Sequence, residues 1–127
     1  MSVQEAYDIQ VSVEAKYLEA ESDPEHDRYV FAYTITIVNQ GTVAARLLTR
    51  HWIITDSNAM TQEVKGDGVV GEQPYLSPGE GFRYTSGAVL DTPVGSMQGS
   101  YHLRADDGHE FDAPIKPFSL SNPRLLH

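Results

Sequence analysis

Residues 64–74 read V-K-G-D-G-V-V-G-E-Q-P, and the reading of this stretch decides the fold. Gly66, Gly68 and Gly71 stand at G-x-G-x-x-G spacing, that of the turn cradling a dinucleotide pyrophosphate. That turn needs a buried parallel strand before it and a helix opening within it, because the helix's unpaired N–H groups hold the phosphate. Here Pro74 stops a helix before its first turn closes usefully, and S-P-G-E-G at 77–81 is a turn signal, not an amphipathic run. The spacing arises by chance in roughly one chain in twenty-five of this length. The glycines are therefore expected to supply positive φ or close backbone approach in a bulge between strands. A glycine-rich loop can still offer anions a nest of N–H groups without a helix. Lys65, Gly66, Gly68 and Gly71, with Arg83 as a further supporting charge, are the candidate ligand- or partner-binding residues.

Working outward, the chain alternates. From Tyr7 to Leu18, Ile9, Val11, Val13, Ala15 and Tyr17 face one way and polar residues the other, the pattern of a strand with one wet face. A polar loop broken by Pro24 follows. Tyr29 to Asn39 is β-branched, aromatic and apolar on both faces, so it should be a central strand. Val43–Asp56, Thr61–Lys65, Gly81–Leu90 and Ser96–Ala105 read as further strands, parted by turns at Gly41, 56–60 and 77–81 and around Pro93. For the last hairpin, a three-residue loop over Asp107, Gly108 and His109 pairs Ala105 with Phe111, Leu103 with Ala113 and Tyr101 with Ile115. About seven short strands with no helical period describe one all-β domain over 1–127, an antiparallel β-sandwich.

Composition bounds the function. The 127 residues carry a net charge of −9 and no cysteine, which excludes disulfides and thiol chemistry. The nine basic residues are scattered, so no nucleic acid is expected as partner. No apolar run reaches the ~18 residues of a membrane helix, and the expected location is the cytoplasm. Glu19, Glu21, Asp23, Glu25 and Asp27 read as a solvated acidic loop. None of the five histidines forms an H-x-x-x-H pair. A loose divalent-metal site could use His102, Asp106 and His109; otherwise no cofactor is expected. No G-x-S-x-G elbow or paired carboxylates stand out, so the chain reads as a non-enzyme.

Three runs, R-Y-V-F-A-Y-T-I-T-I-V-N, H-W-I-I-T-D and the block from Val64 to Tyr101, together with the ending I-K-P-F-S-L, resemble the ApaG family of small bacterial proteins across essentially the whole chain. The resemblance implies a fibronectin type III-like (immunoglobulin-like) sandwich. It also implies association with cobalt tolerance and magnesium efflux, and, from similar eukaryotic domains, a protein-interaction role. The family's glycine motif falls on Gly66, Gly68 and Gly71. The turn D-S-N-A-M departs from relatives that often carry glycine there, but Asn58 can take positive φ too, so the turn is expected to survive. The reading is a protein-interaction module, monomeric or edge-paired as a dimer. Its alternative is a binder of nucleotide polyphosphate, with or without a divalent cation, at the Gly66–Gly71 loop.

Overall fold

Alternation of inward and outward side chains builds the strands of the computed structural model, which describes residues 6–122. In chain order they are β1 (Ile9–Tyr17), β2 (Tyr29–Asn39), β3 (Ala45–Asp56), β4 (Thr61–Asp67), β5 (Tyr75–Leu76), β6 (Gly81–Leu90), β7 (Val94–Ala105) and β8 (Glu110–Ser121). One sheet runs β1-β2-β6 and the other β4-β3-β7-β8, with β5 also on β3. All pairings are antiparallel. This is the expected all-β sandwich, consistent with a fibronectin type III-like fold. The count rises to eight because the two residues of β5 pair with Ala45 and Arg46. The acidic loop holds two single-turn 3-10 helices, Glu19–Glu21 and Pro24–His26.

The sheets meet over the inner face of β2, where Phe31, Ile35 and Ile37 are fully buried. Leu47 and Trp52 of β3, Met97, Tyr101 and Leu103 of β7, and Ile115 and Leu120 of β8 close on them. Each such burial contributes about 1.5–3 kcal/mol. Trp52 stands edge-on to Tyr33, Tyr101 and Phe118, with ring centroids 5.4, 6.3 and 6.0 Å away. The hydroxyls of Tyr84 on β6 and Tyr101 on β7 bond to each other inside the core. Burial pushes the Tyr84 phenol up to about 12. Asn39, 1% exposed, donates from Nδ2 to the carbonyls of Val43 and Leu76 and accepts from the Gly41 N–H. One buried amide thus ties the β2–β3 turn to β5.

The β7–β8 register differs from the sequence expectation. Leu103 pairs with Phe111, Tyr101 with Ala113 and His102 with Asp112, a slip of two residues from the expected pairing. The loop does have three residues, but Ala105 and His109 close it: the Ala105 N–H donates to the His109 carbonyl. The reason is Gly108, whose φ of 88° suits the last position of a three-residue loop and not its middle. Since the slip is even, the same side chains still face the core. The 56–60 turn survives without glycine, the Ala59 N–H donating to the Asp56 carbonyl, with Ala59 rather than Asn58 at positive φ, 61°.

Candidate functional site

Strands β4 and β5 share one edge of β3, and the glycine stretch bridges the gap between them. At that gap β3 bulges, its register against β7 shifting between Leu47 and Thr49. The loop is stitched to the bulge. Gly68 N–H and Gln73 Nε2 both donate to the Leu48 carbonyl, and Leu47 N–H donates to the Pro74 carbonyl. Within the loop Val69 and Glu72 exchange two backbone hydrogen bonds of 2.8 and 2.9 Å around Val70 and Gly71. With φ of 44° and 82° at those two residues, this is a two-residue turn of type I′.

Each glycine has its own local reason. At Gly66 a Cβ would lie 2.9 Å from the Arg50 guanidinium, whose Nη1 donates to the Asp67 and Gly68 carbonyls. At Gly68, with φ of 61°, a Cβ would sit 2.2 Å from the Glu72 carbonyl oxygen. Gly71 needs only its φ, for nothing lies within 4 Å of where a Cβ would be. The two valines divide the work. Val69 is fully buried and pins the turn to the core, while Val70 stands 55% exposed at the tip.

Beside the turn, the outer face of the five-stranded sheet carries an open groove of about 510 Å³, lined among others by Thr49, His51, Lys65, Gly66, Ser100 and His102. His102 Nδ1 lies 2.7 Å from Asp112 Oδ1 and its Nε2 lies 2.9 Å from Glu110 Oε1. Both ring nitrogens therefore donate when the ring is charged. The Asp112 and then the Glu110 carboxylate raise the His102 pKa above its ordinary value, and His102 in turn lowers that of Glu110. Across β3 and β4, His51 Nε2 lies 2.8 Å and Lys65 Nζ 3.3 Å from Glu63 Oε1. Together they hold the Glu63 carboxyl below its usual range, His51 first. The groove thus presents charges in neighbouring opposite pairs.

Lys65 and Gly66 meet His102 at this groove, which joins two candidate sets that the sequence kept apart. Gly68 and Gly71 lie in the adjoining loop. Arg83 does not join them: it is on β6 of the other sheet, 3.6 Å from Glu14. The trio of His102, Asp106 and His109 is not brought together either. Asp106 accepts the Tyr75 hydroxyl, and His109 stacks on Tyr7 at 4.2 Å. Strand alternation turns His102 to the outer face, while the other two belong to the hairpin end. Among the described residues no group of three or more His, Asp and Glu side chains is placed to share a metal ion. Nor is any helix among them long and apolar enough to cross a membrane.

The profile of the ApaG domain matches residues 19–105. The chain belongs to the ApaG domain family. It is similar to Protein ApaG of an Azoarcus species, at 64% identity over 127 residues covering 100% of both chains. Protein ApaG of Thiobacillus denitrificans is 64% identical over 121 residues, covering 95% of each. A Bordetella pertussis crystal structure described as an ApaA protein superposes with a TM-score of 0.92 at 51% identity, covering 94% of this chain and 98% of that one. The matched ApaG segment includes the glycine turn and the β3, β4 and β7 sides of the groove, whereas Glu110 and Asp112 lie beyond it.

Two features of this ApaG-family chain escape sequence reasoning. His51 meets Glu63 only once β3 and β4 are paired. Val70 carries no turn signal, since Asn-Gly and not Val-Gly marks a type I′ turn; the one local clue is Gly71 after it.

Proposed function

We propose that this chain is a non-enzymatic protein-interaction module, acting in the cytoplasm, whose contact surface is the Val69–Glu72 turn with the Lys65 side of the groove. The observation that carries this reading is the backbone of Val70. A β-branched residue at φ 44° is a conformational outlier, and this one is also exposed. Holding it there costs on the order of 1–2 kcal/mol, which Asn or Gly would avoid. The Val70 side chain is not among those that form or pack against the core, so a partner's apolar surface is its natural recipient. Val69 beneath it keeps the turn rigid, which lowers the ordering cost of docking.

The test is a pull-down from native lysate with wild type, Val70→Asn and Lys65→Glu. Val70→Asn should melt higher than wild type yet lose the captured partner. Equal recovery by both variants would overturn this surface. The association with cobalt tolerance and magnesium efflux belongs to the same proposal. A deletion strain complemented with Val70→Asn should then lose cobalt tolerance alongside partner capture.

The alternative ligand, a nucleotide polyphosphate with or without a divalent cation, has Lys65 beside Gly66 in its favour. Against it, the N–H groups of Gly68, Val69 and Glu72 are already bonded within the protein, and the chain continues into β5. Amide-resolved titration with ADP and diadenosine tetraphosphate, with and without Mg²⁺ or Co²⁺, separates the readings. Saturable shifts confined to Lys65 through Glu72 would favour the ligand.

A further inference from the structure

The lateral edges of the sandwich are not equally protected. β8 carries Pro114, Lys116 and Pro117, and β4 carries Glu63, Lys65 and Asp67. β1 carries Glu14 and Lys16 and lies against β8. These are the devices by which natural sheets block edge pairing. β6, G-F-R-Y-T-S-G-A-V-L, has none of them: no proline, no break in its register with β2, and one charged residue, Arg83. Arg83 is turned across the sheet toward Glu14, 3.6 Å away.

The hydrogen-bond phase of this edge is defined. The Asn39 N–H donates to the Glu80 carbonyl, and antiparallel pairing alternates from there. Phe82, Tyr84, Ser86, Ala88 and Leu90 therefore bond to β2. Gly81, Arg83, Thr85, Gly87 and Val89 turn their backbone groups outward, and all five residues are exposed.

We infer that β6 pairs antiparallel with β6 of a second copy of this chain, about a two-fold axis at Thr85, so that the two three-stranded sheets become one of six strands. In that register Arg83 faces Gly87 of the other copy and Gly81 faces Val89. Centring on Arg83 would oppose two guanidiniums, and centring on Gly87 would leave Gly81 and Arg83 without strand partners. The chain's net charge of −9 does not oppose the contact locally, because β6 contains no acidic residue.

Sedimentation velocity over a micromolar-to-millimolar series tests this with four proteins. Wild type should rise from the mass of one chain toward two. At Gly87 an added Cβ meets nothing closer than the Phe31 carbonyl oxygen at 3.5 Å, so the fold accepts a side chain there. Gly87→Arg should weaken association about tenfold by placing like charges opposite, and Gly87→Glu should strengthen it severalfold by facing Arg83. Thr85→Pro, which removes an outward-facing N–H, should remain monomeric. Wild type staying monomeric at millimolar concentration would overturn the inference, as would equal association of the two Gly87 variants. If Thr85→Pro does not fold, the Gly87 pair decides.

Discussion

Two tight turns in this molecule meet the same geometric demand in opposite ways. The β7–β8 loop puts its positive φ on Gly108, and the Asp107 carboxylate accepts the His109 N–H to lock the turn. Every residue there is a favoured one for its position. The Val69–Glu72 turn has glycine at the second corner only, and a valine at φ 44° at the first. Local stability selects the first arrangement and does not select the second. Asp27 and Ala59 also take positive φ, but of the described non-glycine residues that do so Val70 is the β-branched one, so this turn departs furthest from what local stability favours.

The contrast can be broken most violently at Gly68. Ala there meets the Glu72 carbonyl at 2.2 Å and a φ of 61° together. Gly68→Ala should cost about 3 kcal/mol or more in chemical denaturation, combining overpacking with left-handed strain. Gly108→Ala meets open space at φ 88°, so only the conformational term applies. About 1–2 kcal/mol of lost stability is expected there by the same measurement. Val70→Asn should move the other way, gaining about 1 kcal/mol, and a loss instead would remove the asymmetry between the turns.

The smallest effect concerns the register that Gly108 sets. His102 faces Asp112 only in the observed pairing; the expected one would place Pro114 opposite it. An NMR titration should find the His102 pKa above 6.5, moving back toward that value in Asp112→Asn. Because the folded-state pKa is raised, the stability this group contributes is complete below pH 6.5 and fades as pH climbs through the folded value. A His102 pKa at or below 6.5 would speak for the pairing that places Pro114 opposite it.

Much of the fold was legible because a period of two survives every local complication. The wet-faced β1, the central β2 and the inward set of Tyr101, Leu103, Ala113 and Ile115 are all read from alternation. A slip of two residues leaves the parity of a strand untouched, so alternation fixes the faces of β7 and β8 without fixing their partners. Site geometry was less legible because it depends on what pairing brings together. Lys65 and His102 stand 37 positions apart, and only the sequence of pairings β4–β3–β7 sets them at one groove. The sequence alone offers Arg83 as a second cation, and only the topology puts it on the opposite sheet. The trio around His102 dissolved for a related reason: Tyr75 and Tyr7, distant in sequence, engage Asp106 and His109.

Trp52 is the chain's single indole, and it lies 2% exposed where aromatic rings from both layers converge. Its fluorescence is therefore a built-in gauge of whether the two layers are together, with no label required. Ligands or partners arriving at the outer surfaces should leave that emission nearly silent, whereas separation of the layers should shift it to the red. One optical channel can thus score the folding of every variant above while other methods read association.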